Sequence, residues 1–159
     1  MAILQNALTT EVVVSSNSYI FDGAGGMRDQ LEQTIMQELE AKEYPLKVAI
    51  ENVKSGGFWG TKEQCVTIEV SSKSSRRVVI ANTTVGSYLY VNIYHLRRVL
   101  NTKDQVGLPE VITDIFAHQR TQAAYAAAVA ATESAFAKLE LKQINSGYRP
   151  LLNGAKNEG

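Results

Sequence analysis

The densest set of groups able to hold a ligand is Phe21-Asp-Gly-Ala-Gly-Gly-Met-Arg28, where Gly23, Gly25 and Gly26 lead into a segment opened by an arginine. Backbone N–H groups, a helix N-terminus and a guanidinium together can cradle phosphate, so this loop is a candidate site for a phosphorylated or nucleotide-like small molecule. The spacing matches neither a dinucleotide fingerprint, which needs G-x-G-x-x-G before a parallel strand, nor a Walker loop, which needs a closing Gly-Lys-Ser or Gly-Lys-Thr. A purely structural alternative is a sharp turn into a helix, with the glycines permitting the turn and Asp22 capping the helix.

A second candidate is Ser55-Gly-Gly-Phe-Trp-Gly-Thr-Lys62, which holds the only tryptophan. Trp59 between glycines at a loop tip could anchor a ligand or a protein partner. Alternatively Phe58 and Trp59 fold back over the edge of the core. The third is Ser87-Tyr-Leu-Tyr-Val-Asn-Ile-Tyr-His95, where strand alternation puts Tyr88, Tyr90, Asn92 and Tyr94 on one face and Leu89, Val91 and Ile93 on the other. Arg76, Arg77, Arg97 and Arg98 flank that row, as on sheets that stack nucleic-acid bases. Packing under a helix, or in a subunit interface, suits a tyrosine row better when the chain carries no net charge.

Catalytic and metal chemistry find little footing. His95 and His118 are the only histidines, and neither has the H-E-x-x-H spacing of a metal site. Cys65 is the only cysteine, so no disulfide within the chain and no multi-cysteine metal cluster is expected. A nucleophilic arrangement of Cys65 with His95 would require them to meet in space. Glu38, Glu40 and Glu43 read as the solvated end of a charged helix. No cofactor and no metal is implied.

The elements that must position these groups follow from periodicity. With 159 residues, 45% of them hydrophobic and 20% charged, the composition is that of one ordinary folded domain. Sixteen basic residues balance sixteen acidic ones, which disfavours a polyanion as the main partner and removes one barrier to self-association. The longest apolar run, Ala123 to Ala131, is far short of the roughly 20 residues needed to cross a bilayer. The N-terminus has no basic segment before its apolar residues, so a cytoplasmic location is expected.

Glu11 to Phe21 reads as a strand, with a break near Ser16 or Asn17 allowed. Leu31, Ile35 and Leu39 recur in steps of four and mark a helix from Met27 that ends before Pro45. Four strands follow at Leu46–Lys54, Gln64–Ser71, Arg76–Thr83 and Ser87–Tyr94 or beyond, with connections short enough for antiparallel neighbours. Pro109 suits the first turn of a last helix, for which no breaker appears before about Gln143, giving roughly 50 Å of alanine-rich helix. Ile115, His118, Gln122, Tyr125, Val129, Thr132, Phe136 and Leu139 form a heptad-like seam along it.

The expected architecture is α+β, a five-stranded mainly antiparallel sheet in the order β-α-β-β-β-β-α. Residues 1–10 form an N-terminal segment, 11–143 a single domain and 144–159 a flexible tail. A helix that long is expected to rest partly on its own sheet and partly on another chain, unless it bends back near Thr132 to Ser134. The functional expectation is a non-enzymatic interaction or assembly protein. It would form a homo-oligomer or bind a protein partner through Tyr88, Tyr90, Tyr94, Tyr125, Val129, Phe136 and Leu139. The alternatives are a binder of a phosphorylated small molecule at Gly23, Gly25, Gly26 and Arg28, with Trp59, and a Cys65/His95 hydrolase or transferase. Nucleic acid and membrane are not expected partners.

Overall fold

The computed structural model describes residues 10–54, 62–71, 76–99 and 114–144. Strand β1 (Thr10–Asp22) is followed by helix α1 (Arg28–Ala41) and by β2 (Lys47–Lys54), β3 (Lys62–Ser71), β4 (Arg76–Val85) and β5 (Tyr88–Val99), and the chain closes on α2 (Ile115–Lys138). The fold is α+β, one sheet of five strands in the order β1-β5-β4-β3-β2. Every neighbouring pair is antiparallel. The strands β2 to β5 form a meander, and α1 carries the chain from one edge of the sheet to the other.

Period-two alternation divides the sheet into two faces. One carries Tyr19 and Phe21 of β1, Val66 and Ile68 of β3, Val78 and Ile80 of β4, and Leu89, Val91 and Ile93 of β5, all buried. Leu31, Ile35 and Leu39 of α1, and Tyr125, Ala128, Ala135 and Phe136 of α2, complete this one core, so both helices cover the same face. Full burial of a Leu or Ile contributes about 1.5–3 kcal/mol, which makes this layer the main stabilising element. Phe136 is wedged edge-on against Tyr19 and Phe21 at centroid distances of 4.8 and 4.6 Å.

Strand β1 is continuous rather than broken near Ser16. Its irregularity is a register shift against β5 between Val13 and Ser15. Helix α2 is shorter than the sequence implies. It has 24 residues and spans about 36 Å. Asp114 caps its start by accepting from the N–H groups of Phe116 and Ala117. It stops without glycine, Glu140 taking a left-handed φ of 57° while the Leu141 N–H reaches back to the Phe136 carbonyl. Glu43, at φ 55°, ends α1 in the same way. Helix α2 runs unbroken through Thr132 to Ser134, and no helix among the described residues is long and apolar enough to cross a membrane. The proposed N-terminal segment, apart from Thr10, and the tail, apart from Ile144, lie outside the described residues, as does Trp59.

Candidate functional site

From Tyr125 onward the heptad-like seam of α2 packs on its own chain. Tyr125 and Phe136 are buried, and Val129 and Leu139 pack against the same core. Tyr125 donates to Asn17 Oδ1 at 2.7 Å and to the Ile93 carbonyl at 3.2 Å, which fixes the helix across β1 and β5. Tyr125 and Phe136 are thus taken up within the chain, while Val129 and Leu139 stay partly exposed. The buried side chains of α2 begin at Tyr125, while Ile115 and Phe116 in its first turn are exposed.

The tyrosine row is not under α2 either. Tyr88, Tyr90 and Tyr94 occupy the helix-free face of the sheet, opposite Leu89, Val91 and Ile93. Tyr90 donates to Ser18 Oγ at 3.4 Å and accepts from Asn92 Nδ2 at 3.0 Å, while Tyr88 is exposed beside Val85 at the hairpin. Burial, and then the neighbouring Tyr90, raise the Tyr94 hydroxyl above its ordinary pKa. The seven residues expected to form one interface are thus divided between opposite faces of the sheet.

The glycine-rich loop is docked on the β4–β5 hairpin. The Gly25 N–H donates to the Ser87 carbonyl at 3.0 Å and its carbonyl accepts from Thr84 Oγ1 at 2.8 Å. A Cβ on Gly25 would lie 2.4 Å from the Gly86 carbonyl oxygen, so this glycine is required by close backbone approach. Gly23 supplies a positive φ of 76°, and Gly26 faces open space. Asp22 does not cap α1. Its carboxylate accepts from Ser87 Oγ, and the N-cap position is Met27, without a side-chain cap.

Arg28 is directed away from the loop, into the sheet. Its Nη2 donates to the Gln64 carbonyl at 2.7 Å, and the guanidinium lies 3.8 Å from Glu32 and 3.4 Å from Glu63. Glu32, which lies off the Leu31, Ile35 and Leu39 stripe and so would be expected in solvent, is fully buried. Gln64 Nε2 donates to it at 2.6 Å and Asn82 Nδ2 at 3.2 Å, so β3 and β4 supply the hydrogen bonds that a buried carboxylate requires. Glu38, also read as solvated, is buried too, accepting from Ser134 Oγ at 2.7 Å and pairing with Lys138. Lys138 first, and Ser134 second, hold its pKa below the ordinary range.

Cys65 and His95 do not meet. Cys65 is buried on the helix-free face, and burial first, then the charge of Glu32, push its thiol up to about 11. His95 continues the Leu89-Val91-Ile93 phase of β5 and lies on the helix-covered face, stacked on the Tyr125 ring at 5.6 Å. Burial, and then Arg76 and His118, lower its pKa to about 4. Neither ring nitrogen of His95 has a hydrogen-bond partner. Among the described residues no group of His, Cys, Asp and Glu is arranged to hold a metal ion.

Sequence reasoning overlooked the outer surface of the helical layer. The outward side of α2 shows Ala123, Ala126, Ala127 and Ala130 to solvent, with no charge between Arg120 and Glu133. Beside it a groove of about 290 Å³ opens between the helices, lined by Leu39, Tyr44, Ala127, Ala130 and Ala131 together with Glu38, Lys42 and Ser134. The run of alanines was legible, but which of them face outward follows only from the register of Tyr125 and Phe136 on the sheet.

No protein-family model and no curated protein matches this chain. Among solved structures it is similar to parafusin, an exocytosis-sensitive phosphoprotein (phosphoglucomutase) from Paramecium, in its open form, at 12% identity and a TM-score of 0.37. The likeness covers 81% of this chain and 21% of that one, so the chain spans about a fifth of that protein's length. Similarity of this extent carries nothing about activity.

Proposed function

We propose that this chain is a non-enzymatic interaction protein that self-associates, and that the contact is the outward alanine face of α2 together with the groove beside α1. The observation that carries this reading is the uncharged, solvent-facing row Ala123, Ala126, Ala127 and Ala130 next to a concave apolar groove. Small side chains let two helices approach closely, and a groove between helices accepts the ridge of another helix. A formal net charge of zero leaves little long-range repulsion between copies. The occupant is a second copy, because a face of this kind can meet itself across a two-fold axis.

Charge introduced at the centre of the face tests the reading. Ala126→Arg combined with Ala130→Glu changes only solvent-facing positions, so the monomer fold and its melting temperature should be retained. Light scattering behind size exclusion should show the wild-type chain as a dimer or larger species and the double variant as a monomer. Equal masses for the two proteins would refute the proposed face.

A further inference from the structure

Polarity is concentrated without being satisfied at the end of the helix-covered face farthest from the glycine-rich loop. His95 is 0% exposed and neither of its ring nitrogens finds a partner. A buried polar atom left without a hydrogen bond is destabilising, so a group that can accept or donate there is favoured. Two residues further along the same face of β5 stands Arg97, half-buried, with its Nε buried and equally without a partner. In the antiparallel register Arg97 lies directly opposite Arg76, an arrangement that brings like charges together. Desolvation, and then Arg97, lower the Arg76 pKa. From the helix side, half-buried His118 adds a further basic group, its ring 3.5 Å from Gln122. No carboxylate among the described residues pairs with His95 or Arg97.

We propose that His95, Arg97 and His118 form a binding site for a small oxyanion, a phosphate or carboxylate group, between the first turns of α2 and the end of β5. An imidazole N–H and a planar guanidinium are the donors that such a group takes up, the guanidinium in bidentate fashion. A cation is excluded by the same residues, since arginine offers no lone pair and two guanidiniums repel a metal ion. Arg97 and His118 are half-buried and His95 is buried. A bound anion supplies the missing partner for His95 and for the Arg97 Nε. The site is independent of the outward face of α2 and stands if self-association fails.

The test is an NMR titration of the imidazole nitrogens of the full chain with sodium phosphate and, separately, sodium acetate, at pH 6 and constant ionic strength set by chloride. Saturable shifts of the His95 and His118 resonances are expected with at least one of the two, and the anion that saturates identifies the group. Arg97→Gln, at a half-buried position, should keep the fold and weaken that anion about tenfold, the factor that corresponds to losing roughly 1.4 kcal/mol of a charge-assisted bond. Shifts no larger than those in chloride alone for both anions, or wild-type affinity in Arg97→Gln, would overturn the assignment.

Discussion

His95 shows how one residue sets a pH dependence. Its imidazole is faced by Arg76 and by His118, is stacked on Tyr125, and sits in register with Ser15 and Val78, none of which favours a proton on it. The folded pKa of about 4 lies below the ordinary 6.5, so between these values the unfolded chain binds more protons than the folded one. Stability therefore falls as pH drops from 6.5 towards 4, by about 3 kcal/mol at roughly 1.36 kcal/mol per unit. Urea unfolding at pH 7 and at pH 4.5 checks this. His95→Phe should lose most of the difference, and an unchanged slope in that variant would remove His95 as the cause. Cys65 makes a second residue-scale prediction. Buried and with its thiol pushed up to about 11, it should react with iodoacetamide at pH 8 far more slowly than free cysteine, and quickly once urea unfolds the chain. Fast alkylation in native buffer would contradict its placement.

At the scale of elements, alternation and helical period carried most of the fold. Leu89, Val91 and Ile93 faced the core as their spacing demanded, and Leu31, Ile35 and Leu39 did the same on α1. His95 extends the first of those series, but a histidine closing an apolar alternation resembles the end of a strand, so its burial was not legible. Glu32 and Glu38 were missed for a different reason. Their partners, Gln64 and Asn82 for one and Ser134 with Lys138 for the other, come from distant segments that no local pattern brings together. The length of α2 was misjudged at both ends, because Asp114 is extended and caps its start, and Glu140, not a glycine or proline, takes the left-handed conformation that stops it.

The glycine-rich loop offers an element-scale test. Gly25→Ala should destabilise by about 1–3 kcal/mol, because its Cβ would press on the backbone of the hairpin. Gly26→Ala should be close to neutral, since nothing lies within 4 Å of its Cβ position. Thermal melts of the two variants separate these outcomes. Equal tolerance at both positions would mean that the loop is not docked on Gly86 and Ser87.

At the scale of the whole molecule, one face of the sheet is sealed by both helices and the outer side of that helical layer is left smooth and uncharged at its centre. The part of the seam from Tyr125 to Phe136 meets Tyr19, Phe21 and Ile93 of its own chain. What remains for a partner is the opposite side of the same helix, where the alanines lie. The alternation of large and small residues around α2 thus gives one side to the core and leaves the other for the association proposed above. The most direct measurement is sedimentation equilibrium of the full chain over a wide concentration range at neutral pH. The expected mass rises from that of the 17.4 kDa chain to its dimer, and stays at the single-chain value throughout for the Ala126→Arg, Ala130→Glu variant. A wild-type chain that sediments at 17.4 kDa at every concentration would contradict it.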